Sequence, residues 1–355
     1  MAFETKKARY GLQNSTFANG MNALGSIFRI QLYGESHGPC VGVVIDGVPP
    51  GIPLSPDDFF GDIDRRRPGA KGTTSRREDD IPLILSGWFN GFTTGSPMHL
   101  QFSNNDVRSA DYEHLRKTPR PGHADFVART KFAGYEDYRG GGHFSGRLTL
   151  PLVAAGVVAK KICAPMTFEA RLEEAGGDPA IFPAIEQAVD EGDSIGGLVV
   201  CEIDKVPIGL GEPFFNSVES NLAHAIFSIP AVKGIEFGAG FKSTKMKGSQ
   251  WNDVLADASG KTITNHAGGI NGGISNGNPI VFRLAIKPTS SIRKEQRSYD
   301  LEKGELSRVV VSGRHDACIA LRVPVVVEAV SALVLADFLL LPGACRDDRK
   351  GVGNK

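Results

Sequence analysis

The sequence predicts an α+β fold in which two copies of one strand-rich unit place their helices in a layer between sheets. Three observations carry that prediction. Short β-branched runs recur along the chain, each closed by glycine or proline, as strands and turns require. The 43 glycines and 21 prolines are spread as punctuation and form no low-complexity tract. Most informative is a repeat: Ile45-Asp46-Gly47-Val48-Pro49-Pro50-Gly51 returns as Ile203-Asp204-Lys205-Val206-Pro207-Ile208-Gly209. Gly87, Gly91, Gly95 and Pro97 likewise return as Gly269, Gly273, Gly277 and Pro279, each set ahead of an apolar strand. Gly140 precedes Pro151 and its apolar helix by the interval that separates Gly313 from Pro324. The halves fall at about 27–161 and 196–341, joined by a helical connection around 163–195 and related by a pseudo-twofold axis. Glycine-rich strand ends also resemble one another by composition, which is the plainer explanation of the same matches.

Taken in order, residues 1–20 are mixed and polar, with no apolar core for a secretory signal, and Met21 opens the first patterned stretch. They are expected to be a disordered extension of a single domain over 21–355, with a transit peptide as the weaker alternative. Strands are expected at 27–33, 41–46, 81–86, 97–102, 197–204, 233–240 and 279–286. Helices are expected at 56–67, where Ser55 can cap and Pro56 can start the first turn, at the apolar 151–161, and at 182–191, 216–228 and 324–341.

Forty basic and forty acidic residues cancel, so neither nucleic acid nor a membrane surface would be bound through the overall field. An anionic ligand must then be held by a local cluster. The five cysteines are odd in number and show no CxxC or His/Cys spacing, which signals neither a disulfide framework nor zinc and suits a reducing cytoplasm. The sequence shows no run of about eighteen apolar residues of the kind that spans a membrane.

Five glycine-flanked polar clusters remain to be explained. Gly34-Glu35-Ser36-His37-Gly38 sits before the β-branched run Val41–Ile45, and its glycines let Ser36 and His37 be presented on a tight turn. The others are Arg65-Arg66-Arg67-Pro68-Gly69 with Arg76-Arg77, Arg120–Asp125 (RPGHAD), Arg139–Arg147 (RGGGHFSGR) and Ser312–Asp316 (SGRHD). A guanidinium is a planar fork suited to carboxylate or phosphate, and adjacent glycines let backbone N–H groups join in. With no net charge, this local richness points to a small polyanion, although a run such as Arg65–Arg67 more often marks a solvated helix face. His37 and His123 could exchange protons near neutral pH, and Asp316 could act as a base. The triglycine Gly140–Gly142 is not a dinucleotide fingerprint, and no nucleophile elbow or Walker sequence occurs. Lys287-Pro288-Thr289-Ser290-Ser291 can contact a phosphate or form an ordinary turn. The glycine-rich 265–273 can approach a flat ligand or be a plain loop.

Together with the glycine-rich AGGINGGISNG at 267–277, these motifs resemble the chorismate synthase family, in one order from about Gly25 to Leu341. The resemblance implies a β-α-β sandwich, a cytoplasmic homotetramer, and conversion of 5-enolpyruvylshikimate 3-phosphate to chorismate and phosphate. It implies an anti-1,4-elimination that needs reduced FMN without net redox change. His37 would protonate the reduced flavin, His123 would be the general acid toward the departing phosphate, and Asp316 would work with flavin N5 in taking the C6 hydrogen. Ser36, Arg66, Arg120, Arg147 and Arg314 would hold the substrate, with Lys71 or Arg76 in addition. His143, Phe144, Ser145, Ala231, Gly272, Lys287, Pro288, Thr289, Ser290, Ser291 and Arg314 would line the FMN. Some members reduce their own flavin with NADPH, but no large insertion occurs here, so a separate flavin reductase activity is expected.

Three departures from the family pattern stand out. His143-Phe144-Ser145-Gly146-Arg147 replaces Arg-Ser-Ser-Ala-Arg, Pro230-Ala231 replaces Asn-Ala, and the segment Ala70–Thr73 is one residue short. Two rivals compete with this reading. A phosphotransferase or phosphatase would need a carboxylate pair for metal or a nucleotide loop, and the sequence offers neither. A non-catalytic flavin or nucleotide binder would not need His37, His123 and Asp316 together.

Overall fold

Met98, Leu100 and Phe102 are buried while His99 and Gln101 between them are half-buried, so the strand they form has one core face. Ile280, Phe282, Leu284 and Ile286 alternate in the same way with Val281, Arg283 and Ala285 in the second half. The computed structural model describes residues 22–342 apart from 70, 75, 77 and 312–314, and only the backbone at 110 and 111. The expectations for residues 1–20, Gly313 and Arg314 therefore lie outside the described residues.

The first half runs β1 (Ala23–Leu24), β2 (Arg29–Gly34), β3 (Cys40–Asp46), α1 (Phe60–Arg66), β4 (Leu83–Ser86), β5 (Trp88–Phe89), β6 (Phe92–Thr93), β7 (Met98–Ser103), α2 (Asp125–Lys131) and α3 (Thr149–Ile162). The second runs β8 (Thr167–Ala175), α4 (Ile181–Asp190), β9 (Gly197–Asp204), α5 (Val218–Ile226), β10 (Val232–Phe237), α6 (Gly248–Trp251), β11 (Ile270–Asn271), β12 (Ile274–Ser275), β13 (Ile280–Ile286), β14 (Gln296–Asp300), β15 (Glu305–Val309) and α7 (Val323–Leu340). One antiparallel sheet has the order β1-β2-β3-β7-β4, and the other β8-β9-β13-β10. Helix α3 packs on β2, β3 and β7, α7 packs on β8 and β9, and the two helices pack on each other. This is the sandwich the sequence predicts. At the helix crossing a Cβ on Gly156 would lie 2.3 Å from the Cβ of Ala329, so the close approach needs glycine there.

The halves match in hydrogen bonds as well as order. Ile45 lies opposite Met98, and Ile203 lies opposite Ile280. Thr93 Oγ1 donates to Pro49 O (2.6 Å) and accepts from Ile52 N (3.0 Å). Ser275 Oγ donates to Pro207 O (2.6 Å) and accepts from Leu210 N (2.9 Å). Each triplet of repeated glycines has positive φ throughout: 80°, 83° and 84° for Gly87, Gly91 and Gly95, against 82°, 89° and 88° for Gly269, Gly273 and Gly277.

Two sequence expectations need correction. The connection around 163–195 is not only helical: Thr167–Ala175 is an edge strand with Glu169 and Arg171 on its exposed face, and its charges hide the alternation of Phe168, Ala170 and Leu172. The apolar run also has to be revised, because Ile319–Leu340 is long and apolar enough to cross a membrane by length and composition. It is mostly buried inside this protein, because α7 lies in the middle layer and meets apolar neighbours on nearly every side.

Candidate active site

A cleft of ≈ 580 Å³ opens where the loop after β2, the end of α1, the segments 74–80, 106–124 and 140–149, and the loops around 227–233, 287–291 and 315–326 converge. Among the described positions it collects Ser36, His37, Arg66, Arg120, His123, Arg147 and Asp316 from five motifs far apart in sequence. Four of these, Ser36, Arg66, Arg120 and Arg147, are at most 6% exposed, so their polar groups face each other and the cleft instead of bulk water.

The turn after β2 is locked from two sides. Ser36 N donates to Gly142 O (3.1 Å), while Arg76 donates to Ser36 Oγ (3.0 Å) and to its carbonyl (3.1 Å). Arg76 is held in turn by Glu78, which accepts from its Nε (3.1 Å) and Nη2 (2.8 Å) and from the amides of Asn105 (2.9 Å) and Asp106 (3.1 Å). Burial raises the Glu78 pKa, but those hydrogen bonds outweigh it and hold the carboxyl below its ordinary value. His37 Nδ1 sits 3.1 Å from Ser109 Oγ, with its ring edge-on to Tyr112 at 5.3 Å. Gly140 has φ 59°, and a Cβ there would come within 2.4 Å of His37 Cδ2, so the triglycine makes room for the imidazole.

In the second motif, Asp125 at the start of α2 accepts from Arg120 Nε (2.8 Å), Nη2 (2.7 Å) and backbone N (3.0 Å). His123 Nδ1 lies 2.6 Å from the same carboxylate. Arg120 Nη1 donates to Ser291 Oγ (3.0 Å), and its guanidinium lies over the Tyr112 ring at 5.7 Å. Burial raises the Asp125 pKa, yet the hydrogen bonds from Arg120 and His123 prevail and hold it well below the usual carboxylate range.

Arg66 leaves the end of α1 and donates to Thr149 Oγ1 (3.1 Å), Gly146 O (3.3 Å) and Asp80 Oδ2 (3.4 Å). Arg147 also pairs with Asp80 and donates to Asn104 Oδ1 (2.9 Å) and Ser103 O (3.1 Å). Asp316 accepts from Thr74 N (2.9 Å) and Arg322 Nη1 (3.2 Å), and Arg322 Nε donates to Arg66 O (2.8 Å). Burial, with Arg322 and Arg147 close by, pushes Arg66 well below the ordinary guanidinium pKa despite Asp80. The cluster holds more positive charge than its carboxylates neutralise, which is the condition for binding an anion.

Of the residues expected around the flavin, His143, Phe144, Ser145, Ala231, Lys287, Thr289, Ser290 and Ser291 line the cleft. His143 spends its ring on protein, with Nδ1 2.8 Å from Gly34 O and Nε2 3.1 Å from Asn22 Oδ1. Ala231 has φ 76°, a left-handed conformation unusual for alanine. Lys287 Nζ donates to Ser290 Oγ (2.9 Å), and burial together with Lys233 lowers its pKa. Thr289 Oγ1 is buried with no hydrogen-bond partner among the described residues. Two expected residues do not line the cleft: Pro288, and Gly272, which sits in the turn between β11 and β12. Lys71 pairs with Glu186 on the surface (2.8 Å), so Arg76 is the one of the two that reaches the cleft. Sequence reading missed Glu78, Asp80, Tyr112 and Arg322. Glu78 and Asp80 lie two and four residues after Arg76 in Arg76-Arg77-Glu78-Asp79-Asp80, and that basic pair followed by three acidic residues was the available signal.

The chorismate synthase family model matches residues 28–340. The chain belongs to the chorismate synthase family. It is 62% identical over 322 residues to a chorismate synthase of Chitinophaga pinensis, covering 90% of this chain and 97% of the relative. A chorismate synthase of Dehalococcoides mccartyi is 45% identical, covering 91% of this chain and 97% of its own. A chorismate synthase of Korarchaeum cryptofilum is 44% identical, covering 90% and 98%. A crystal structure of a chorismate synthase superposes with a TM-score of 0.67 at 25% identity, covering 89% of this chain and 93% of that one. Membership makes the chain a carbon–oxygen lyase of the shikimate pathway.

Proposed function

We propose that this cleft converts 5-enolpyruvylshikimate 3-phosphate to chorismate and phosphate by anti-1,4-elimination, with reduced FMN as cofactor. The observation that carries this reading is the cation-rich pocket of Arg66, Arg147 and Arg322, which His37 and His123 also line. A substrate with two carboxylates and a phosphate supplies the negative charge that Asp80 and Asp316 leave wanting. Arg66 and Arg120 hold substrate anions with Arg76, Arg147 and Ser36 behind them, and Arg314 is proposed alongside. His123 carries the proton for the departing phosphate oxygen. Asp316, oriented by Thr74 N and Arg322, would take part in removing the C6 hydrogen. His37, whose Nδ1 lies 3.1 Å from Ser109 Oγ, would supply a proton to the reduced cofactor.

The residues present fit FMN: Lys287, the hydroxyls of Ser290 and Ser291, and the unpartnered buried hydroxyl of Thr289 suit its phosphate. Ile229, Val232, Ile319 and Val323 offer an apolar wall to its ring, beside Ala231, Phe144 and Ser145. When bound, reduced FMN would supply electron density that eases cleavage of the C–O bond.

A separate flavin reductase, a cytoplasmic location and a homotetramer complete the proposal, the last supported by Phe214 and Phe215, which are 85% and 93% exposed. An anaerobic assay with pre-reduced FMN and the enolpyruvyl substrate should produce chorismate absorbance, and no product would overturn the reading. The same assay with NADPH and oxidised FMN should give none without an added reductase. Sedimentation should report a tetramer.

A further inference from the structure

His123 and Arg120 share one carboxylate. His123 Nδ1 is 2.6 Å from Asp125 Oδ1 and 3.0 Å from Arg120 Nη2, and Arg120 Nη2 is itself 2.7 Å from that same oxygen. A guanidinium only donates, and an ionised carboxylate only accepts. Three atoms this close are compatible when Nδ1–H and Nη2–H both point at Asp125, which assigns the Nδ1 hydrogen without reference to any ligand. The Arg120 Nε–H and backbone N–H occupy the other oxygen, at 2.8 and 3.0 Å, so the carboxylate has no freedom to turn away. Its side chain is 15% exposed and its pKa is held low, so it stays ionised where the reaction would run.

Other charged groups near this histidine come from different elements. Arg116, Arg129, Glu136 and Asp137 border with it a small cavity of ≈ 30 Å³, and Lys287 lines the main cleft. Among the described residues, the ring of His123 is within hydrogen-bonding distance of Asp125 and Arg120 alone.

We propose that Asp125 is the positioning residue of this site, fixing His123 as the Nδ1–H tautomer and orienting the Arg120 fork with the same carboxylate. The inference rests on the proposed role of His123 as proton donor. The cycle it defines balances without a co-reactant. Protonated His123 gives the Nε2 proton to the leaving phosphate oxygen as the C–O bond breaks, returns to the neutral Nδ1–H form and later regains a proton from solvent, to which the proton lost from C6 is released. Asp125 keeps its charge and takes no proton at any stage.

Side-chain ¹H–¹⁵N spectra of protein labelled at histidine read the tautomer directly, with His123→Gln identifying the signal. In the resting wild type at a pH where the ring is neutral, the hydrogen should be on Nδ1. In Asp125→Asn the amide oxygen is taken by Arg120 and the NH₂ turns to the ring, so the hydrogen should move to Nε2. Turnover should fall by about 100-fold or more, the size expected when a proton-transfer group is held in the wrong tautomer. Asp125→Glu, which keeps the carboxylate, should retain the Nδ1–H signal. An Nε2–H resting tautomer in the wild type overturns the inference even if the variants fail to fold, and so does an Asp125→Asn protein with an unchanged tautomer. Wild-type protein that makes no chorismate under reducing conditions instead overturns the functional reading, since the tautomer is read without substrate.

Discussion

Arg65 and Arg66 are neighbours at the end of α1, yet they finish in opposite electrostatic settings. Arg65 reaches into the helix layer, where its two Nη atoms meet Glu328 at 2.7 and 2.6 Å. Lys160 joins Glu328 (2.9 Å) and Asp62 (2.7 Å), and Ala170 N donates to Glu328 (3.0 Å). There the cations Arg65 and Lys160 are matched by the anions Glu328 and Asp62. Across the helix, Arg66, Arg147 and Arg322 share Asp80 and Asp316 and are in excess. The hydrogen bonds to Glu328 raise the Arg65 pKa, whereas burial and repulsion lower that of Arg66. The lesson is that buried ion clusters divide by their balance: a neutralised one holds structure, and an under-neutralised one waits for a ligand.

The comparison can be broken most forcefully at Glu328. Glu328→Ala leaves Lys160 and Arg65 with Asp62 as their one remaining carboxylate among the described residues, and losing one partner of a buried pair costs roughly 3–5 kcal/mol. Because the Arg65 side chain is 46% exposed and can turn to water, the lower end, about 3 kcal/mol in a urea titration, is expected. Turnover per folded molecule should stay within about threefold. Arg66→Ala should do the reverse, lowering kcat/KM by about 100-fold, or about 2.7 kcal/mol, with unfolding stability equal to the wild type or higher.

A smaller effect separates the clusters without touching Glu328. Inorganic phosphate at about ten times its Kd should stabilise the wild type by about 1.4 kcal/mol, and Arg66→Ala should lose most of that gain in a thermal melt. Acid titration gives a further test. Burial raises the Glu328 pKa, but Arg65 and Lys160 more than offset it and leave the folded value below the unfolded one. Its stabilisation is therefore complete above about pH 4.3 and is lost as pH falls through the lower folded value, so Glu328→Gln should flatten that part of the stability profile. The smallest effect belongs to Lys71. Its pair with Glu186 is exposed on both sides, and Lys71→Ala should leave both the unfolding midpoint and turnover unaltered.

Much of the fold was legible because its signals are local. The paired turns at Asp46 and Asp204, and the glycines that need positive φ, can be read from a few adjacent residues. The motif loops around His37, His123 and Gly140 were legible for the same reason. What escaped depends on distant partners. Nothing near Arg65 announces Glu328 far along the chain, so the fork that turns inward to the core and the one that lines the cleft look alike in sequence. Arg322, placed in the cleft by the start of α7, had no glycine beside it to mark it. Asp125 stood inside a recognised motif, but its hold on both Arg120 and His123 requires the turn to be folded. Strand β8 was hidden because an edge strand with one charged face reads like a polar helix.

The most direct test of the central claim is anaerobic turnover of 5-enolpyruvylshikimate 3-phosphate with pre-reduced FMN, followed as chorismate absorbance and normalised to folded protein, for the wild type and Arg66→Ala side by side. Steady chorismate formation by the wild type, with at least about 100-fold less by a normally folded Arg66→Ala, is the predicted result. Equal turnover by the two proteins would contradict the claim that the under-neutralised arginine cluster is what holds the substrate.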